Sequence, residues 1–597
     1  MNLLTKRLPA LLITALVSVF AALQAQVPSL QGYYTKPVRV EPLSLSGSMG
    51  EFRAAHFHTG LDFRVGGVAG APVYAAAEGY ISRITVSGGG YGNALQITHP
   101  NGTISLYGHL DSFSAQVAAY VEQEQYRRES FQVSLDCPAG MFPVRKGEQI
   151  GKAGNTGDSG GPHLHFEIRY RDSVYENSLV TANLLGHDVF KLEDKLVPEF
   201  RTVRFYGFST SETGIPAIRL VTSLEGTRND VTVNVPDTFF VAVDAIDRMN
   251  NTSFRLAIQT WEVYLDQELV YQFRNQDLPL DWTRYILSLI HYPERSRNGR
   301  SLLKTWVEPG NVLIDRMSAP TRGLFTLPDT LAHSLRIVVH DAAGNSTART
   351  YSVRRNSVLE ALVSPGEKDM SMPAEGLAPE EYQQHFYWDR ENCFAARDIR
   401  ITVPQEALYR DIFFKATREG VFEWQLHTCD DPLHLPMQVE LRVPDTIPAA
   451  LHEKIVVMRL QDSARDPHRQ EADPRLWRSA GGVCTDSLIT FATNAFGRYR
   501  IDVDTIPPVV NASFSRGADL RTRSSVYFTI RDECSGIREY KITMDGKWIL
   551  GVHDPKRSRI TCMLDPKRIT RGTKHQVLLQ VTDQKNNITQ YKTEFLW

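Results

Sequence analysis

The sequence has few cysteines, no excess of one charge, and a single long apolar run. Disulfide bonds between six cysteines spread over 597 residues can stabilise individual domains but cannot form the framework of the fold. Lys and Arg total 66 against 68 Asp and Glu, a net charge of -2, which argues against the positive surface that nonspecific nucleic-acid binding needs. With 42% hydrophobic residues, 40 Gly and 31 Pro, collagenous, coiled-coil and wholly disordered proteins are also excluded. We expect about four globular domains and no nucleic-acid partner.

The one long apolar run lies at the N-terminus. Residues 8–25 follow Lys6 and Arg7 and end in small residues, which predicts a secretory signal peptide over residues 1–25. The alternative is a single membrane anchor, but Pro9 interrupts a run that is already short for a bilayer. No other stretch is long enough to span one. We therefore predict an exported protein, periplasmic or secreted, with no membrane span after cleavage.

The rest of the chain carries strand and turn signals. Between Tyr74 and Leu110, short apolar runs alternate with glycine-rich turns, as in a β meander. A motif Asp-x3-Asn-x-Ser/Thr begins at Asp247, Asp341 and Asp583, and its last two copies read as turns between strands of sandwich domains. The sequence thus predicts a mainly β protein in which an antiparallel-sheet domain precedes about three β-sandwich, Ig-like domains. The predicted domains are 40–190, 200–356, 365–505 and 506–597.

The last predicted domain is basic. Residues 508–597 contain 16 Lys and Arg against 9 Asp and Glu. This surplus would suit contact with a protein or an anionic glycan, but a solvated face or a neighbouring acidic domain is the favoured explanation, since a charge surplus is not by itself a binding site.

Two segments place polar groups at every second residue. In His58-Thr-Gly60-Leu-Asp62, a strand would put His58, Gly60 and Asp62 on one face. Gly60 would then leave space for a cation between the imidazole and the carboxylate. In the second segment, His163, His165 and Glu167 alternate with three apolar residues, so two imidazoles and a carboxylate face away from the core.

A third segment, Leu106-Tyr107-Gly108-His109, ends a predicted strand, and we expect His109 to point with Tyr107 toward the same site. Each segment alone is common in proteins without a metal. Together they resemble the lysostaphin-type, or β-lytic, family of zinc metalloendopeptidases. The matching motifs are His58-x-Gly60-x-Asp62, Tyr107-Gly108-His109-Leu110 and Gly154-Asn-Thr-Gly157-Asp-Ser-Gly-Gly-Pro162-His163-Leu-His165-Phe-Glu167.

The resemblance covers residues 40–170 and implies roles for five residues. It implies that His58, Asp62 and His165 bind Zn²⁺ and that His109 and His163 are the catalytic pair. Two positions depart from the family pattern. Gly160 stands where the family often has Thr, and His56 adds an imidazole beside the first motif, for which we expect a supporting role rather than metal ligation.

The family resemblance implies a zinc endopeptidase that hydrolyses the peptide stems and cross-links of peptidoglycan. Two alternatives stay open. One is a non-enzymatic binding or activator protein that uses the peptidase-like domain for docking, and the other is a related carboxypeptidase with a similar first motif. Residues 111–143 form an insertion relative to the family, and Phe113, Val117, Tyr120 and Val121 recur there at helical spacing. We predict an amphipathic helix that narrows the substrate groove.

Overall fold

The structure is a computed structural model that describes residues 30–597, except residues 43, 54, 176–177, 192, 227–228, 251, 364–380 and 462–475. The predicted signal peptide lies outside these residues. Strands dominate the described chain and pair mostly antiparallel, which confirms the prediction of a mainly β protein with an N-terminal sheet domain and further β-rich domains after it.

The N-terminal domain, residues 30–190, contains one large sheet and one small sheet. The large sheet has the strand order β1-β2-β11-β6-β5-β4-β8, and the small one has β3-β10-β7. Its elements are β1 Leu45–Gly47, β2 Leu61–Arg64, β3 Pro72–Tyr74, β4 Gly79–Val86, β5 Ala94–Thr98, β6 Ile104–Gly108, β7 Leu110–Phe113, α1 Ala115–Arg128, β8 Val133–Asp136, β9 Pro143–Val144, β10 Gln149–Ala153, β11 His163–Arg171 and β12 Leu179–Thr181.

The central strand β11 separates a core face from a polar face. Leu164, Phe166 and Ile168 alternate along it and are completely buried in the apolar core. The residues between them therefore line the opposite face of the sheet, as the period of two predicts. This alternation is the feature of the fold that presents the candidate site.

The second domain, residues 199–363, holds two sheets around a separate apolar core. Strand β19 also pairs with β12 of the N-terminal domain. The elements are β13 Glu199–Thr210, β14 Pro216–Glu225, β15 Val231–Val235, β16 Thr238–Ile246, β17 Thr260–Leu265, β18 Glu268–Arg274, β19 Leu278–Pro279, α2 Ile286–Leu289, α3 Tyr292–Asn298, β20 Leu303–Lys304, β21 Met317–Ser318, β22 Phe325–Thr326, β23 Ala332–His340, β24 Ser346–Arg355 and α4 Ser357–Val363.

The third domain, residues 381–503, also has two sheets, β25-β28-β29-β35-β31-β32 and β26-β27-β30-β34-β33. Its strands are β25 Glu381–Phe386, β26 Asn392–Ala396, β27 Ile399–Val403, β28 Ile412–Gly420, β29 Glu423–Leu426, β30 Pro432–Arg442, β31 Ile455–Leu460, β32 Trp477–Gly481, β33 Val483–Thr485, β34 Leu488–Ala495 and β35 Gly497–Val503.

The C-terminal domain, residues 509–597, pairs its strands in the orders β36-β38-β42-β41 and β37-β44-β43-β39-β40. The strands are β36 Val509–Ala512, β37 Ala518–Asp519, β38 Ser525–Arg531, β39 Ile537–Met544, β40 Lys547–Trp548, β41 Gly551–Asp554, β42 Arg559–Met563, β43 Lys574–Asp583 and β44 Ile588–Leu596.

Helix α1 is the amphipathic helix predicted in the insertion, except that Phe113, which the spacing included, belongs to strand β7. Val117 and Val121 are buried against the sheet, together with Gln125. The outer face of α1 contacts the C-terminal domain, where Tyr126 packs edge-on against Trp548 with ring centroids 4.9 Å apart. The helix therefore connects two domains that are distant in sequence, whereas a role in narrowing the groove stays a prediction.

Basic residues of the C-terminal domain contribute to this contact. Lys541 pairs with Glu129 at 2.6 Å and Arg568 with Glu122 at 3.3 Å. Lys556 donates hydrogen bonds to the carbonyl oxygen of Asn155, at 2.6 Å, and to that of Ser159. Part of the positive surplus of this domain thus faces acidic and carbonyl groups of the N-terminal domain.

All six cysteines are free thiols. Among the described residues, no helix has the length and apolar character that a membrane crossing requires.

Candidate metal centre

Three side-chain atoms from two distant segments meet on the polar face of the large sheet. His58 Nε2 lies 3.1 Å from Asp62 Oδ1 and 3.1 Å from His165 Nδ1, and His165 Nδ1 lies 2.9 Å from Asp62 Oδ1. All three residues are buried. Such a triangle of two nitrogens and one oxygen can hold one metal ion.

Strand register brings these residues together. Asp62 on β2 is directly opposite His165 on β11, so their side chains share one face of the sheet. The expectation that His58 also lies on this strand is wrong, because β2 begins at Leu61 and His58 belongs to the preceding loop. The Nδ1 of His58 is 2.9 Å from the Ser48 carbonyl oxygen, which holds its ring in place.

Gly60 has a different role from the predicted one. A Cβ atom at this position would lie 2.5 Å from the Phe166 carbonyl oxygen, 2.8 Å from Glu167 Cγ and 3.0 Å from His165 Cε1. The glycine is therefore needed for the close approach of the chain to β11. It does not provide the predicted space for a cation between the His58 imidazole and the Asp62 carboxylate.

Hydrogen bonds fix the tautomers of both imidazoles. The Ser48 carbonyl can only accept, so His58 carries its proton on Nδ1 and directs the Nε2 lone pair to the centre. His165 Nε2 lies 2.7 Å from Glu167 Oε1, which leaves the Nδ1 lone pair free for the centre. In their neutral forms, which a metal requires, both rings thus present a lone pair at the same point.

Glu167 is part of a buried hydrogen-bond network. The residue is completely buried, and Arg169 Nε donates to its Oε2 at 2.6 Å. Tyr91 and Thr59 hydroxyls both donate to Oε1 at 2.7 Å. Glu167 therefore both contacts the His165 ring and pairs with Arg169, which lies two residues further along the strand.

His109 and His163 lie beside the triangle. Their ring centroids are 4.8 Å apart, and the His109 ring is 5.9 Å from that of His165. His109 Nδ1 is 2.8 Å from the Thr156 carbonyl oxygen, and His163 Nδ1 is 2.8 Å from that of Gly161. These bonds leave the Nε2 of each ring as the atom that can meet a substrate, and His163 Nε2 lies 3.5 Å from Asp62 Oδ1.

Tyr107 does not point toward the site, which corrects the expectation. It is completely buried, and its hydroxyl accepts a hydrogen bond from the Ala76 amide at 2.8 Å. His109 reaches the polar face because its backbone has a φ of 60°, which breaks the alternation of the strand at its end. His56 is exposed and lies outside the triangle, with its Nδ1 3.0 Å from the Phe57 carbonyl oxygen.

Burial and neighbouring charges shift the pKa values of the imidazoles in this cluster in opposite directions. Burial lowers the pKa of His58, and burial together with His165 and His163 lowers the pKa of His109 to about 3. Burial acts in the same direction on His165, but Asp62 and Glu167 outweigh it and raise its pKa to about 9. Although burial opposes it, His58 and the two β11 histidines hold the pKa of Asp62 well below its usual range. Without a metal, His165 is therefore protonated at neutral pH while His58 and His109 are neutral.

The sequence patterns gave no role to several residues that support the site, among them Tyr91, Arg53 and Thr156. Tyr91 lies in the turn between β4 and β5, and its ring centroid is 5.2 Å from that of His165. Arg53 Nη2 donates to Asp62 Oδ2 at 2.9 Å. Thr156 supplies the carbonyl that holds His109. The glycine cluster around Tyr91 was one signal, since a Cβ on Gly92 would collide with Thr156. The other was the position of Thr156 inside the third matching motif.

Two family models match the chain. The model of peptidase family M23 matches residues 56–126 and 141–177, which contain all five predicted site residues. The model of the Zu5-like domain matches residues 383–504.

Curated relatives match the N-terminal domain. The chain is 42% identical over 114 residues to DD-carboxypeptidase/endopeptidase Mpg of Neisseria meningitidis serogroup B, a match that covers 19% of this chain and 20% of that protein. It is 32% identical over 107 residues to lipoprotein NlpD of Yersinia enterocolitica, which covers 18% of this chain and 86% of that protein.

Among solved structures, the catalytic domain of lysostaphin from Staphylococcus simulans matches at 26% identity and a TM-score of 0.15, over 20% of this chain and 75% of that one. The chain spans only a fifth of the length of the Neisseria relative, whereas it covers most of the Yersinia protein. Through its N-terminal domain, this chain belongs to peptidase family M23.

Proposed function

We propose that this protein is an exported, zinc-dependent endopeptidase that hydrolyses peptide cross-links of peptidoglycan. The observation that carries the proposal is the triangle of His58 Nε2, Asp62 Oδ1 and His165 Nδ1, with two further histidines beside it. None of the five residues of the family pattern is replaced, in contrast to family relatives that have lost ligands and act as activators.

The donor set suits Zn²⁺. Two imidazole nitrogens and one carboxylate oxygen are the ligands of catalytic zinc sites, which keep a fourth position open, whereas Ca²⁺ and Mg²⁺ prefer oxygen ligands throughout. In tetrahedral zinc sites with bonds of about 2.0 Å, ligand atoms lie about 3.3 Å apart. The observed separations of 2.9 to 3.1 Å require only a slight expansion of the triangle.

Glu167 and Ser48 orient the two imidazoles, and Arg53 orients the carboxylate through its second oxygen. Such outer partners raise the affinity of a site for its metal. When bound, zinc supplies a Lewis acid that polarises the scissile carbonyl and makes water acidic near neutral pH. The protein must then supply a proton acceptor and a hydrogen-bond donor for the oxyanion.

His109 and His163 divide these two roles. The Nδ1–H of His109 donates to the Thr156 carbonyl oxygen, so Nε2 presents a lone pair that can accept the proton of the attacking water. His163 takes the other role, that of hydrogen-bond donor to the oxyanion through Nε2, while the Gly161 carbonyl oxygen holds its Nδ1. The role of both residues is therefore catalytic and does not include metal ligation.

The substrate assignment rests on the relatives. The 42% identical Neisseria protein is named a DD-carboxypeptidase/endopeptidase, and the matched segment contains the candidate centre. Export agrees with this assignment, because residues 1–25 have the pattern of a signal peptide.

We also propose that the chain is divided into domains at 40–190, 200–356, 365–505 and 506–597, and that the three C-terminal domains position the peptidase. The contacts of Lys541, Lys556 and Arg568 with the N-terminal domain support this role. Basic groups that remain on the surface of the last domain can meet an anionic glycan or a protein.

Digestion of cross-linked sacculi tests the proposal. The purified protein, without its signal peptide, is incubated with sacculi with and without a chelator. The glycan strands are then cut with a muramidase, and the fragments are weighed by mass spectrometry. We expect monomeric fragments to replace cross-linked dimers, an effect that disappears with chelator and returns with Zn²⁺. The exposed His56→Ala variant should match the wild type. Binding to sacculi with the cross-linked dimers intact would favour the docking or activator alternative, and release of single D-alanine residues would favour a carboxypeptidase.

A further inference from the structure

A second group of ligand-type side chains lies where the N-terminal domain joins the second domain. One carboxylate oxygen from each of Asp194, Asp247 and Asp341 lies within 4.8 Å of the other two. Asp194 belongs to the segment between β12 and β13, Asp247 follows β16, and Asp341 follows β23. Three separate segments therefore converge on one point, which we call the junction cluster.

The motif Asp-x3-Asn-x-Ser/Thr builds this cluster. The Asn345 side chain donates to Asp341 Oδ2 at 2.8 Å and to the Asp194 carbonyl at 3.4 Å. Thr347 Oγ1 donates to the Pro198 carbonyl at 2.6 Å. The Asn and Thr of the motif thus fasten the interdomain segment to the β23–β24 turn. Asp341, whose Oδ1 accepts hydrogen bonds from the Ala343 and Asn345 amides, lies beside the other two carboxylates.

The same construction occurs again before the C-terminal domain. Asp504, Asp532 and Asp583 form an equivalent group, in which the Asn587 side chain donates to Asp583 Oδ2 at 2.7 Å and to the Asp504 carbonyl at 2.9 Å. Thr589 donates to the Pro508 carbonyl, as Thr347 does to Pro198. Two interdomain segments are therefore held by one repeated arrangement.

The junction cluster contains a buried carboxylate atom without a partner. Asp247 is 4% exposed, and its Oδ1 is fully buried and makes no hydrogen bond. In the part of the chain that the structure describes, no Lys or Arg forms an ion pair with any of the three aspartates, and the adjacent Arg248 pairs with Glu199 at 2.6 Å. Burial, together with Asp341 and Asp194, raises the pKa of Asp247 to about 8. The cluster lacks a positive charge at its centre.

We propose that Asp194, Asp247 and Asp341 bind one Ca²⁺ ion. Ca²⁺ takes oxygen ligands from carboxylates, carbonyls and water in flexible geometry, whereas Zn²⁺ favours nitrogen and sulfur, and Mg²⁺ retains most of its own water. A bound ion would give Asp247 Oδ1 its missing partner. It would also tie the segment after the N-terminal domain to two loops of the second domain, and so fix the peptidase domain on its neighbour.

Calcium binding by the full mature chain tests this proposal. The protein is depleted of divalent ions on a chelating resin and reloaded with one equivalent of Zn²⁺, and ⁴⁵Ca²⁺ uptake is then measured by equilibrium dialysis up to about 1 mM, the range of extracellular calcium modules. We expect Asp247→Asn to bind one equivalent fewer than the wild type. Asp281→Asn, which alters an exposed aspartate of the same domain, should bind as many as the wild type.

Thermal unfolding gives a second measurement that does not depend on counting ions. At a calcium concentration about 100 times the Kd of the site, the unfolding equilibrium constant of the wild type should fall about 100-fold. The same calcium concentration should lower the unfolding equilibrium constant of Asp247→Asn by less. In the absence of calcium, Asp247→Asn should be at least as stable as the wild type, because it removes a carboxyl group whose ionised form is disfavoured by burial and by Asp341 and Asp194. Equal calcium uptake by both proteins, or no uptake by the wild type, would overturn the proposal.

Discussion

Replacement of His109 by Ala separates catalysis from metal binding. The His109 ring lies beside the triangle, and its centroid is 5.9 Å from that of His165, so we expect the zinc content to stay at one equivalent. Loss of a proton acceptor costs about 10²–10⁴-fold in rate, which corresponds to a barrier higher by about 3–5 kcal/mol. We expect this loss in kcat with purified cross-linked stem peptides as substrate.

The same variant loses the hydrogen bond to the Thr156 carbonyl. One such bond contributes about 0.5–1.5 kcal/mol, so we expect the unfolding midpoint to fall by only a few degrees. Zinc is counted by mass spectrometry of metals in the folded variant, and His56→Ala serves as the control for removal of a histidine. If His109→Ala loses zinc in parallel with activity, His109 is a ligand and the assignment of roles is wrong.

Three further changes probe the surroundings of the centre. Glu167→Gln should lower zinc affinity about 10–100-fold, measured by competition with a chelating dye, and unchanged affinity would mean that Glu167 does not orient His165. Gly60→Ala places a Cβ 2.5 Å from a backbone oxygen, so it should lower both the unfolding midpoint and the zinc content. The control is Gly160→Ala, whose Cβ meets nothing within 4 Å and which should leave both unchanged. The pKa of His165 is raised to about 9, and zinc needs the neutral ring. Zinc binding at pH 7 should therefore release about one proton, and this release should disappear above pH 9. The number of protons released is measured by titration calorimetry in two buffers of different ionisation enthalpy.

Period-two patterns were enough to predict how β11 is oriented. His163, His165 and Glu167 lie on its polar face, and the apolar residues between them are buried. The helix of the insertion also followed from its spacing. These features depend on local alternation, which a sequence shows directly.

Other features depend on contacts between distant segments. Tyr107 faces the core although His109 faces the site, because the positive φ of His109 reverses the alternation. Gly60 is required by the approach of β11, and Arg53 and Tyr91 reach the site from loops without periodicity. Such contacts are set by strand pairing and by the paths of loops, and no local sequence pattern predicts them.

The junction cluster illustrates the same limit. The repeated motif indicated turns between strands, and the structure has those turns after Asp341 and at Asp583. The copy at Asp247 is different, because Asp247 forms a β-bridge with Leu256 and contributes the third carboxylate to the cluster of Asp341. The copy of the motif at Asp247 therefore matches the other two in sequence but not in its place in the fold.

The most direct test of the account is the position of zinc in a crystal of the purified protein. Anomalous scattering at the zinc absorption edge should give one strong peak in the N-terminal domain, about 2.0–2.2 Å from His58 Nε2, Asp62 Oδ1 and His165 Nδ1. His109 and His163 should lie beyond bonding distance of that peak. A peak bound by either of these two histidines, or no peak between His58, Asp62 and His165, would contradict the central claim.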